Sequence, residues 1–333
     1  MAVYAQHYPS TRLRRVRQAP WIRKLTAEAV LTPADLVWAM VIHEGEEAHV
    51  DVPSMPGAPR YSVKAAAEAA RRAGALGIPA IAIFPNIDPA KKDEVGMESM
   101  NPDGLVPSAI RAMKDAAPGV GIVCDVALDP FTSHGHDGLI DDRGYVLNDA
   151  TVDLLTAQAL LQARTGADVV APSDMMDGRI GSIRAALEEE GLTNTLILSY
   201  AAKYASGFYG PYRDAIGSAT ALVGDKKTYQ QDPANSEEAL REVAMDIEEG
   251  ADMVMVKPGL PYLDIVRRVS DTFAIPTLAF QVSGEYAQIQ AAGAHGWIDG
   301  DRVMMETLLS FKRAGASGII TYFAEKAAEQ LNA

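Results

Sequence analysis

Short apolar runs recur along this chain, each closed by polar or turn-forming residues. Residues 253–259, Met-Val-Met-Val-Lys-Pro-Gly, show the pattern most sharply: four apolar positions, a lysine, then a proline and a glycine that stop the run. A run this short and apolar fits a strand buried on both faces, although a buried helix segment carries the same signature. Three more runs follow the same plan of a glycine, a short link and an apolar strand, at 77–84, 166–173 and 315–322. The glycines at 77, 166, 250 and 315 stand where helix C-caps belong. Their separations leave room for about two strand–helix units between successive members. Residues 36–42, 120–126, 195–199 and 276–282 supply the remaining strands.

Amphipathic stretches predict helices over 62–75, 107–116, 149–165, 180–190, 236–249, 262–272, 285–292 and 301–314, with Ser62 as an N-cap. Eight strands alternating with helices predict a parallel sheet, and eight units predict an α/β fold, the (β/α)8 TIM barrel, over residues 36–333. An open doubly wound sheet is the second reading, but no Gly-x-Gly-x-x-Gly follows any strand. Residues 1–35 fall outside the alternation as an extended N-terminal arm. Residues 205–235 interrupt it with a long segment without evident regular structure. Its glycines and aromatics suit an active-site lid; a solvated loop is the alternative. Residues 53–59 read as a proline-rich loop.

Composition narrows the class. The chain has 333 residues, 48% of them apolar, enough for a substantial core. No apolar run approaches the roughly 18–20 residues of a membrane helix, and the N-terminus has no secretory pattern. Cys124 is the one cysteine, so neither an internal disulfide nor a multi-cysteine metal site can form. These features predict a cytoplasmic protein with no membrane partner. The net charge is −14, yet the first 24 residues carry six basic side chains and no acid, leaving −20 on the remainder. An acidic body argues against a nucleic-acid partner. The basic arm reads as a disordered tail, a transit peptide or a docking segment; Pro9, Pro20, Trp21 and Ile22 favour docking on another subunit.

In a barrel of this kind the chemistry collects at the C-terminal ends of the strands. There the chain offers Asp125, Asp129 and the loop 132–138 after the third strand, and Ser173, Asp174 and Asp177 after the fourth. Lys203 follows the fifth, Lys257 ends the sixth, Ser283 follows the seventh and Tyr322 ends the eighth. A lysine at the end of a buried strand either keeps its ammonium in water or is desolvated into a neutral, nucleophilic amine. Two lysines at one mouth depress each other, which favours the second outcome. Neutral amines capture carbonyls as Schiff bases. Lys203 on its own is equally compatible with a surface lysine. Arg213, Lys226 and Lys227 in the long segment are candidate grips for a carboxylate. The His134/His136 pair suggests either hydrogen-bonded loop histidines or, with Asp129 and Asp137, a hard metal ion.

Residues 253–259, 199–205, 171–179 (Ala-Pro-Ser-Asp-Met-Met-Asp-Gly-Arg) and 281–286 (Gln-Val-Ser-Gly-Glu-Tyr) resemble the signature segments of the porphobilinogen synthase (5-aminolevulinate dehydratase) family. The likeness extends in order from about Pro20 to the C-terminus. It implies a (β/α)8 barrel whose arm wraps a partner subunit in a homo-oligomer, octamer or hexamer. It implies the condensation of two 5-aminolevulinate molecules to porphobilinogen, with loss of two waters, in tetrapyrrole biosynthesis. By this resemblance Lys203 forms the Schiff base with the propionate-side substrate and Lys257 with the acetate-side one. Arg213 and Lys226 correspond to lid residues holding the acetate-side carboxylate, though Lys227 is adjacent. Ser283 and Tyr322 correspond to the propionate-side carboxylate pair, and Asp125 and Ser173 to polar groups near the substrate amino group. Where zinc-dependent members carry three cysteines, this chain has Ala127, Asp129 and Asp137, so no thiolate zinc site can be built. The implied type uses no zinc and no organic cofactor. Asp129 and Asp137 are left either to orient amino groups or to bind a hard or monovalent cation. Glu242 falls where some members bind an allosteric Mg²⁺, and is otherwise a surface helix residue. A class I aldolase is the alternative enzyme, but it needs one Schiff-base lysine where this chain offers two. A non-catalytic binding protein is the alternative outside enzymes.

Overall fold

The computed structural model describes residues 7–217, 222 and 224–333. Eight parallel strands close on themselves: β1 Leu36–His43, β2 Ala80–Asn86, β3 Gly121–Val126, β4 Val169–Pro172, β5 Leu196–Lys203, β6 Met253–Lys257, β7 Thr277–Gln281 and β8 Gly318–Thr321. Each pairs with its sequence neighbour, and β8 returns to β1 through Leu36↔Ile319, Val37↔Ile320 and Trp38↔Thr321. The barrel reading holds and the open sheet is excluded, because an open sheet has two unpaired edges.

The local reasons are legible in the residues. β1 is buried along its whole length, as its uninterrupted apolar run requires. The Ser62 hydroxyl accepts from the Ala65 amide and caps the helix Val63–Leu76. Gly77, Gly166, Gly250 and Gly315 all take positive φ, between 78° and 111°, at the ends of helices. An L side chain there would be strained, which explains the glycine repeat.

Three features depart from the expected pattern. First, β5 does not end at Ser199 but runs on to Lys203, with an irregularity between Ser199 and Ala202. Second, the segment 205–235 contains the helix Gly210–Ala215; its residues 218–221 and 223 lie outside the described residues. Third, the proline-rich loop is closed by a short hairpin, His49–Val50 against Arg60–Ser62, whose second strand also pairs with β1 at Val41–His43. A C-terminal helix, Ala324–Asn332, completes the shell.

The arm follows its own course. Leu13–Arg17 and Pro20–Leu25 form single turns with no buried residue. Tyr8, Leu13, Trp21, Leu25 and Val30 are exposed. The first six residues of the arm lie outside the described residues. Among the described residues, no helix is long and apolar enough to cross a membrane.

Candidate active site

Lys203 and Lys257 are direct register partners on adjacent strands. Counting from the pair Ser199↔Val254, β5 uses four residues to reach the lysine and β6 uses three. Side chains alternate faces along a strand, so without the extra residue one lysine would point away from the other. The irregularity is a β-bulge that turns Lys203 to the same side as Lys257. Both lysines are buried, with 5% and 6% exposure.

Their surroundings differ. The Lys203 ammonium donates to the Ser173 carbonyl and lies 3.5 Å from an Asp137 oxygen. Lys257 sits among rings: its nitrogen is 4.8 Å from the centre of Phe280, 4.9 Å from Tyr200, 5.4 Å from Tyr212 and 5.5 Å from Tyr209. Burial, and then the charge of Lys203, lower its pKa from 10.5 to about 7. Asp125, Asp129 and Asp137 pull the other way without restoring it. Lys257 is therefore the amine closest to neutrality at physiological pH.

The acids divide similarly. Burial pushes Asp125 up to about 6 against the pull of both lysines. Ser173 and Tyr200 face it, and one of its oxygens has no hydrogen-bond partner among the described residues. Asp137 is also fully buried, but Lys203 and Lys226 outweigh that burial and hold it at about 2. Lys226 reaches down from the lid to bridge Asp137 at 2.6 Å and Asp129 at 3.0 Å. Tyr229 donates to the same Asp137 oxygen at 3.0 Å. Lys227, three-quarters exposed, pairs with Asp225 among the described residues. Lys226 is thus the lid lysine that turns inward, and it meets carboxylates of the barrel there.

One pocket is lined by Lys203, Lys257, Asp129, Tyr212, Arg213 and Lys226. The lid residue Gln230 also lines it, a group that sequence reasoning missed because nothing distinguishes it from a solvated loop glutamine. The Ser283 hydroxyl accepts from the Tyr212 amide at 2.9 Å and faces the Phe208 carbonyl at 3.4 Å. Tyr322 is buried against Phe280, and its hydroxyl has no partner among the described residues. Glu242 lies elsewhere. It borders a separate cavity with Asp177 and Gln231, its carboxylate 3.7 Å from the Arg179 guanidinium. Burial raises it to about 7. The histidine pair is hydrogen-bonded: His134 donates to the Glu94 carbonyl through Nε2 and accepts the His136 amide through Nδ1, and His136 Nδ1 lies 3.2 Å from the Tyr229 hydroxyl. Among the described residues no three His, Cys, Asp or Glu side chains are grouped to hold a metal.

A barrel with two buried lysines and a lid that brings Arg213 and Lys226 to the same pocket is a specific constellation, and comparison with known proteins gives it a family. The family model of delta-aminolevulinic acid dehydratase matches residues 10–330. A delta-aminolevulinic acid dehydratase of Bradyrhizobium diazoefficiens is 61% identical over 320 residues, covering 96% of this chain and 90% of that one. One from Rhodobacter capsulatus is 51% identical over the full length of both. The crystal structure of the Toxoplasma gondii ME49 enzyme, described as porphobilinogen synthase in complex with the reaction product porphobilinogen, superposes with a TM-score of 0.94 at 48% identity, covering 96% of this chain and 91% of that one. With the family match spanning residues 10–330, barrel and lid included, this chain belongs to the delta-aminolevulinic acid dehydratase family.

Proposed function

We propose that Lys203 and Lys257 capture the two carbonyls when this enzyme condenses two 5-aminolevulinate molecules to porphobilinogen. The activity is the one its family carries, and the observation that supports these residue roles is the register pairing of two buried lysines in one pocket. Each substrate has a ketone. A neutral amine adds to it, water leaves, and the resulting iminium draws electrons from the adjacent carbon. Burial and the charge of Lys203 lower Lys257 to about 7, which favours its neutral, nucleophilic form. Lys203, held between Asp137 and the Ser173 carbonyl, is kept in place for the other substrate. Two condensations, one carbon–carbon and one carbon–nitrogen, account for the two waters released. A one-lysine aldolase leaves one member of the pair without a task.

Arg213 and Lys226 line the pocket, and the roles of Ser283, Tyr322, Asp125 and Ser173 are those the family resemblance implies. Arg213 supplies a cation for the acetate-side carboxylate, and Lys226 joins it by exchanging its aspartate partners for substrate. Ser283 and Tyr322 suit the propionate-side carboxylate, Tyr322 with a buried hydroxyl that has no acceptor among the described residues. Asp125 and Ser173 face the substrate amino group. Zinc has no thiolate here: Asp129 and Asp137 stand in the relevant loop, and Cys124 is wholly buried with its thiol pushed up by burial. A zinc-selective chelator should leave turnover unchanged; inhibition reversed by zinc would refute this. A monovalent cation between Asp129 and Asp137 would have to displace the Lys226 ammonium, so those residues suit that ion only with the lid withdrawn. Glu242 and Asp177, with waters, would hold an Mg²⁺ remote from the lysines, where it would bias assembly and supply nothing to the chemistry. The exposed apolar side chains of the arm support docking on a second copy of the chain.

Formation of porphobilinogen from 5-aminolevulinate by the parent and by Lys203→Met and Lys257→Met tests the residue roles. Each variant should lose turnover by at least ~10³-fold, since each removes one of two required nucleophiles. Substantial turnover by either variant would overturn the assignment.

A further inference from the structure

The lid helix Gly210–Ala215 is held at both ends by groups outside the lid. At its start, the Tyr212 amide donates to Ser283 Oγ. Gly284 lies so close to Phe208 that a Cβ there would sit 2.4 Å from the Phe208 carbonyl oxygen. At its end stands Arg60. The Arg60 Nε donates to the Ala215 carbonyl at 2.6 Å and Nη2 to the Asp214 carbonyl at 2.8 Å. Ser54 Oγ donates to the Asp214 carboxylate at 2.5 Å. The last carbonyls of a helix have no partner within it and carry its negative end, so a guanidinium fork placed there satisfies two of them and is favoured by the dipole.

Arg60 is well placed to transmit rigidity. It lies in the short strand Arg60–Ser62, in register with Val41 of β1 and with Val50 of the hairpin. Next to it Tyr61 packs edge-on against Trp38 of β1, with ring centres 6.1 Å apart. The hairpin is therefore an extension of the barrel wall. The helix it grips carries Tyr212, whose ring faces Lys257 and packs edge-on against Phe84 of β2, and Arg213, which lines the pocket.

We propose that Arg60, assisted by Ser54, is a positioning residue that latches the lid helix to the barrel wall and thereby sets Arg213 and Tyr212 over the Lys257 half of the site. Neither side chain touches the pocket. The helix they grip carries Tyr212 and Arg213 on the Lys257 side, whereas Lys203 bonds Ser173 and faces Asp137, which is tied to a different part of the lid through Lys226 and Tyr229. This inference rests on the assignment of the two lysines to separate substrates.

The test uses the full-length enzyme with 5-aminolevulinate and borohydride, followed by peptide mass mapping of the adducts on each lysine across a range of substrate concentrations. In Arg60→Ala, the Lys203 adduct should form at the parental concentration, whereas the Lys257 adduct should need about tenfold more substrate, as expected from loss of a charge-assisted hydrogen-bond pair. KM for turnover should rise with it, and kcat at saturation should change less. Ser54→Ala should shift the Lys257 adduct in the same direction by a smaller factor, and Arg60→Lys should recover part of the loss. Equal adduct formation on both lysines in Arg60→Ala and Ser54→Ala would overturn the latch. Parallel loss of both adducts, in variants that still melt cooperatively, would also overturn it, since that is a general structural role. Absence of any adduct in the parent would instead overturn the assignment of the lysines.

Discussion

Lys257 shows how a strand sequence becomes chemistry. In water a lysine is almost wholly protonated at pH 7; here burial first, and Lys203 second, bring its pKa to about 7. The acidic limb of kcat/KM should therefore fall near pH 7, with activity rising as the amine loses its proton. A limb above pH 9 would contradict the burial argument. The same shift predicts a stability effect. Between about 7 and 10.5 the folded protein binds fewer protons at this site than the unfolded chain, so stability rises with pH through that window. The cost is fully present below pH 7. Lys257→Met should thus melt at a higher temperature than the parent at pH 6, with the difference narrowing towards pH 10. Much of this was legible from residues 253–259, where an apolar run ends in a lysine. The aromatic cage was not, because Tyr200, Tyr209, Tyr212 and Phe280 come from three separate segments.

At the scale of elements, the barrel was readable because strand and helix patterns alternate, and at Gly77, Gly166, Gly250 and Gly315 a glycine marks the end of a helix before an apolar strand. What escaped was where local pattern and tertiary context part. Ser199 looked like a strand end because Tyr-Ala-Ala-Lys has no clear alternation. Pairing with β6 carries the strand through a bulge to Lys203, and a bulge has no compositional trace. The lid helix was hidden by its glycines and proline, which weaken helix signals, while its stability comes from Arg60 and Ser283. Lys226, expected to await a substrate carboxylate, is instead tied to Asp129 and Asp137. This strap and the helix latch together keep the lid down. Asp129→Asn should loosen it, so that limited proteolysis within residues 205–235 speeds up about tenfold, the effect of losing one charged hydrogen bond. Unchanged cleavage would show that the strap does not hold the lid.

For the whole molecule, the separation of charge between arm and body acquires a physical meaning. The helical turn Pro20–Leu25 has no buried residue among those described, and Trp21 and Leu25 are exposed. The proposed docking on a second copy would cover these side chains, and the −20 on the remainder of the chain suits a basic arm there. Deleting residues 1–24 should lower the mass in solution by light scattering, and an unchanged mass would rule out the arm as a subunit contact. Sedimentation with and without EDTA tests the proposed Mg²⁺ site at Glu242: the assembly size should change when the ion is removed, and an unchanged coefficient would count against it.

The proposed mechanism needs two amines acting on two substrates in one pocket. Borohydride reduction of the parent enzyme with 5-aminolevulinate, followed by peptide mass mapping, examines that directly. It should yield covalent adducts on both Lys203 and Lys257. Adducts on one lysine alone at saturating substrate, or on neither, would contradict it.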